Sequence, residues 1–161
     1  MFPVLRPLLN KGGAGRYISR EETVERLLPL VEQHNRLLQA YHYTVERLQD
    51  GAAKEQVDAL MPRLRTHLAK LDETIYSAGG TPPLGTHLRP GETGRGRTDA
   101  EMLYHVLDLE RAFHDALTDE VDAVHHQERT RAILGHLARG SAERLEVLRT
   151  LTNPLPRPAG Y

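Results

Sequence analysis

MLYHVLDLERAFHDAL, Met102 to Leu117, decides how this chain folds. Leu103, Val106, Leu109, Phe113, Ala116 and Leu117 return at steps of three and four residues, the period of an α-helix with one apolar face. Glu110 interrupts that face, and His114 follows it one turn later. A carboxylate removed from water is costly unless a cation or a donor meets it. Either Glu110 finds such a partner inside a helical core, or the face is wider and wetter than its apolar residues suggest.

The same period recurs on both sides of this stretch. Ser19-x-x-Glu22 has the form of a capping box and opens a first helix. Its stripe is Val24, Leu27, Leu28, Val31, Leu38, Val45 and Leu48, and Asp50-Gly51 ends it, with Gly51 suited to a left-handed C′ position. A second helix is expected over Lys54 to Ala78, striped by Val57, Leu60, Met61, Leu64, Leu68, Leu71 and Ile75. Pro62 predicts a kink in its early turns. Gly79-Gly80 and Thr81-Pro82-Pro83 stop it. Thr98-x-x-Glu101, a second capping box, opens the third helix, which is expected to reach about Thr118. A fourth carries Ile133, Leu134, Leu137, Leu145, Leu148 and Leu151, with Gly140, Ser141 and Ala142 interrupting it. A mid-helix Gly costs about 1 kcal/mol against Ala, which close approach of another helix would justify. Asn153-Pro154 ends this helix, ahead of a Pro-rich tail.

These elements predict an all-α chain: a basic, apolar arm over 1–18, a four-helix bundle over 19–152 and a tail over 153–161. The link over 79–98 is long for a compact domain. It can span a helix, so it permits the second and third helices to run parallel, as in bundles with one long crossover, and a mobile surface loop is the competing reading.

Composition narrows the function classes. The 161 residues are 27% charged and 39% hydrophobic, with a net charge of -1, an ordinary globular balance suited to one domain. No apolar run is long enough to cross a bilayer, and the Pro- and Arg-broken start does not read as a secretory signal. Cysteine is absent, which excludes disulfides and thiolate metal sites and fits a cytoplasmic setting. There is no Gly-rich phosphate loop after a strand and no His-Glu-x-x-His motif. The basic N-terminal residues within 1–20, Arg6, Lys11, Arg16 and Arg20, are the main candidate for nucleic-acid contact, and four charges supply only modest phosphate affinity. The flexible Gly94-Arg95-Gly96-Arg97 run is too short to be a nucleic-acid motif. The apolar residues of the arm favour covering a groove on this subunit or on a neighbour, and a homo-oligomer, a dimer or larger, is expected.

Histidine is the surplus, with nine residues. At about 1.5 Å rise per residue, His34, His67, Glu110, His114 and His136 fall near one middle layer of the bundle, while His42 lies about 12 Å further along the first helix. Imidazole and carboxylate suit iron, manganese or zinc, so these five side chains are the candidate metal ligands. The competing reading is structural: ordinary semi-buried histidines, with Glu110 paired to His114 or to an Arg from another helix. Asp122-x-x-His125 is a further candidate metal pair, or a capping Asp beside an exposed His.

Ala40-Tyr41 and Glu46, Leu71 leading into Ala78-Gly79-Gly80-Thr81-Pro82, Leu109-Glu110, and Gly140 with Leu145, Leu148 and Leu151 carry a resemblance over residues 22–152. The chain resembles the ferritin-like superfamily, and within it a small bacterial stress-associated family of undefined activity. That resemblance implies a metal-binding bundle, with iron or manganese oxidation or storage as its activity. The chain departs from the superfamily by containing no Glu-x-x-His; the second helix offers His67 and Asp72, and Glu143 and Glu146 lie off the apolar face. Two principal expectations follow: a metal-binding protein with an atypical site, or a non-enzymatic helical interaction module that has lost the metal centre. DNA protection through the basic arm is a third.

Overall fold

The computed structural model describes residues 17–160; most of the predicted N-terminal arm, residues 1–16, lies outside them, as does Tyr161. The described chain is helical, with no strand, and comprises α1 (Arg20–Arg47), α2 (Gly51–Asp58), α3 (Met61–Ser77), a single turn α4 (Pro90–Thr93), α5 (Asp99–Ala123) and α6 (Glu128–Thr152).

The predicted caps form where sequence placed them. The Ser19 hydroxyl accepts from the Glu22 N–H at 3.1 Å. Thr98 and Glu101 make the full reciprocal box, satisfying two donors that the first turn of α5 would leave open. Three boundaries differ. α1 stops at Arg47, and Gly51 is no left-handed terminator: it is the first residue of α2, capped by the Asp50 carboxylate, which accepts from the N–H groups of Ala52 and Ala53. The single kinked helix expected over 54–78 is two helices parted at Ala59-Leu60. Pro62 sits in the first turn of α3, where its missing N–H costs nothing. α5 runs past Thr118 to Ala123, because nothing in Asp119 to Ala123 breaks a helix.

Helix directions follow from paired side chains. Along α1 and α5, Arg26 meets Glu120, Tyr41 meets Glu110, and the N–H groups of Gln49 and Asp50 donate to Asp99, so the two are antiparallel. α6 is antiparallel to α5, since Glu110 meets Arg144 and Tyr104 donates to the Thr152 carbonyl. α3 is antiparallel to α1: Arg65 reaches His42, while Val24 and Ile75 crowd the same Gly80. α3 and α5 therefore run in one direction, and the 79–98 connection makes the return. The four long helices touch in a closed ring, α1 with α3 and α5, α6 with α5 and α3. Leu27, Val31, Leu64, Leu71, Phe113, Leu134 and Leu148 fill its interior.

The return segment is fastened to α1. Gly94 lies so close to the Tyr43 ring that a Cβ there would overlap it, and the Tyr43 hydroxyl donates to the Gly96 carbonyl at 2.9 Å. The C-terminal tail is likewise tied to α5, with Tyr104 donating to the Leu155 carbonyl and Arg157 paired to Asp108. No helix among the described residues is long and apolar enough to cross a membrane.

Candidate functional site: a buried Glu–Arg network

Glu110 is completely buried, and its partner is Arg144, itself 1% exposed. The arginine reaches it as a fork: Nε donates to Oε2 and Nη2 to Oε1, each at 2.9 Å. Planar guanidinium matches carboxylate in this two-bond geometry. Two hydroxyls complete the shell, Ser141 donating to Oε1 at 2.5 Å and Tyr41 to Oε2 at 2.6 Å. Four donors thus converge on one carboxylate, from α1 and α6, which offsets the loss of its hydration. Burial first, and then the neighbouring Glu110 charge, hold the Tyr41 hydroxyl well above its ordinary pKa, so it stays a donor.

The third arm of Arg144 turns to α3, where Nη1 lies 3.0 Å from His67 Nδ1. Guanidinium carries donors only, so Nδ1 must accept and the neutral ring bears its proton on Nε2. Burial, then the Arg144 charge, lower the His67 pKa to about 4. Gly140 makes room for this ring, because a Cβ there would overlap His67 Cε1. The close approach that a mid-helix glycine implied is thus made by a side chain of α3, and Ser141 is spent on Glu110. Gly140→Ala should therefore destabilise the protein by about 1–3 kcal/mol through overpacking, despite gaining about 1 kcal/mol of helix propensity. Urea unfolding measures the difference, and a more stable variant would mean that His67 is free to move.

His34 faces the same interior from α1, packed edge-on against Phe113 with ring centroids 5.0 Å apart. It is fully buried, and neither ring nitrogen has a hydrogen-bond partner. Burial is the main reason its pKa falls to about 3, with the charge of Arg144 next.

The five predicted ligands do not share one site. His34, His67 and Glu110 lie around Arg144, and His136 stacks edge-on to the outer side of His67 at 5.3 Å. His114 is half-buried, its Nδ1 without a partner, and it forms none of the network's hydrogen bonds. Among the described residues no three His, Asp or Glu side chains are placed to hold a metal ion. Both oxygens of Glu110 are taken, and the neighbouring guanidinium repels a second cation. Asp122 is exposed, and His125 packs on the Tyr17 ring, so that pair is not assembled. Glu143 and Glu146 are exposed, with Glu143 paired to Arg63.

Arg144, Ser141 and Tyr41 were not among the predicted site residues. Their signal is the break in the α6 stripe between Leu137 and Leu145, where Ser141 and Arg144 occupy core positions. A second partly buried cluster, also unforeseen, joins α1 to the α5–α6 turn: Glu120 accepts from Arg26 Nε at 2.7 Å and lies 2.8 Å from His126 Nε2. Burial pushes the Glu120 pKa up, but the bonds from His126 and Arg26 outweigh it and the net shift is downward.

Comparison of the chain with protein-family models, with curated proteins and with solved structures finds no match to any of the three.

Proposed function

We propose that this chain is a ferritin-like four-helix bundle in which an ion pair has replaced the metal centre, and that it acts as a non-enzymatic helical module through its surface. The single observation that carries this reading is the guanidinium of Arg144 bonded to both oxygens of Glu110 at the level where ligands were expected. A fixed organic cation neutralises the inward carboxylate with no ion required. The closed ring of helices and the long return between α3 and α5 support the bundle. The apolar N-terminal residues, outside the described part, are the proposed means of assembly as a homodimer or larger oligomer.

The competing reading, an iron, manganese or zinc protein, draws its support from His34, whose two ring nitrogens lie free in the interior. One imidazole without a second ligand holds a divalent ion weakly. The two readings separate in one experiment. Tag-free protein is loaded with iron, manganese or zinc, desalted, and assayed for bound metal and for melting temperature. Well under one ion per chain and an unchanged melting temperature are expected. A stoichiometric ion that raises the melting temperature would overturn the module reading. Deleting residues 1–16 should lower the oligomeric mass measured by light scattering.

A further inference from the structure

One end of the bundle holds a groove that the buried network does not use. It is lined by the first turns of α1 and α6 and the last turn of α3, with Arg20, Arg129, Thr130, Gln127 and Glu73 among its walls. We propose that this groove binds a small oxyanion group, a phosphate or a carboxylate.

Four observations carry it. Arg20 and Arg129 both line the groove, and neither forms an ion pair or side-chain hydrogen bond with another described residue. Second, α6 starts without a side-chain cap: Gln127 accepts nothing from the first turn, whereas α1, α2 and α5 are capped by Ser19, Asp50 and Thr98. The open N–H groups and the positive end of a 25-residue helix are left for an acceptor from outside. Third, Thr130 is only 8% exposed, lines the groove, and its hydroxyl has no partner within the described chain, unlike the Thr23 and Thr74 hydroxyls, which bond back to carbonyls. That hydroxyl is not sealed from the groove, so it can donate to an acceptor seated there. Fourth, three carbonyls in the last turn of α3, which would otherwise repel an anion, already hold donors: Thr74, Ile75 and Tyr76 accept from the N–H groups of Ala78, Gly79 and Gly80. Glu73 is the one opposing charge on the walls, and it sets the sign of a control.

The test titrates the full chain, ¹⁵N-labelled, with inorganic phosphate and separately with acetate at constant ionic strength. Saturable shifts of the Arg129 and Thr130 amides are expected. Phosphate saturating at the lower concentration assigns a phosphoryl ligand, and acetate doing so assigns a carboxylate. Arg129→Gln, at an exposed position that folding does not need, should weaken binding by roughly tenfold, the loss of one charge-assisted hydrogen bond. Thr130→Val should weaken it as well, and Glu73→Gln should strengthen it. Absence of saturable shifts with either anion, or affinities that ignore all three substitutions, would overturn the site.

Discussion

Arg144→Met is expected to destabilise the protein by about 3–5 kcal/mol, the cost of leaving a buried carboxylate with no countercharge. Methionine fills much of the same volume, so little of that loss comes from a cavity. Tyr41 and Ser141 still donate to Glu110, but two neutral hydrogen bonds do not replace a bidentate cation. His67 Nδ1 also loses its donor in the variant. The double substitution Glu110→Gln with Arg144→Met removes the orphaned charge and keeps an acceptor for the hydroxyls. It should recover a large part of the stability, giving a strong coupling energy in a double-mutant cycle. Urea unfolding of the four proteins supplies the numbers. Equal losses in the single and double variants would mean that the pair is not what organises the interior.

Acid should unfold this protein earlier than its carboxylates alone would dictate. His34 and His67 have folded-state pKa values of about 3 and about 4, against 6.5 for an ordinary histidine. A lowered value means that the unfolded chain binds protons more readily, so stability falls as pH drops below 6.5 and continues to fall until the folded-state values are reached. At pH 5 the linkage for His34 is roughly 2 kcal/mol, and His67 adds in the same direction. Geometry gives the same sign. A proton on His67 Nδ1 would point at an Arg144 N–H, and a charged His34 would sit among apolar walls and a guanidinium. His34→Leu should raise stability by about 1–3 kcal/mol at neutral pH, because a buried unsatisfied group is removed. It should also flatten the profile between pH 7 and 5. Melting temperatures across that range read the effect, and a variant whose profile keeps the full wild-type slope would show that His34 is not the source.

Much of the site was legible in one residue. Glu110 on an apolar stripe demanded a partner, and the options included an arginine from another helix. Which arginine could not be read, because helical spacing places a residue on a face of its own helix but not against a residue of the next. Arg144 shares its turn with Leu145 and Leu148 and could have snorkelled outward from the edge of that stripe. It turns inward because α5 presents a carboxylate at the same height. The metal-ligand set failed to assemble for a related reason: a common level along the bundle axis does not imply a common direction around it. His136 stands on the outer side of His67, and His114 is off the network.

The sequence by itself determined that this protein is all-α, that α1 and α5 open at Ser19 and Thr98, that α6 ends at Asn153-Pro154, and that the 79–98 stretch is a long connection. Those features rest on local chemistry: apolar period, capping side chains, and Gly or Pro where a helix cannot continue. Only the tertiary structure decided that Ala59-Leu60 parts two helices, that Gly140 exists for the His67 ring, and that the interior charge is balanced by Arg144. The last two depend on contacts between residues far apart in the chain, whereas the helix break follows from Pro62, which cannot donate to the Asp58 carbonyl. The free energy of such a contact is set by what the neighbouring helix offers at that height and angle, which no local window of residues contains.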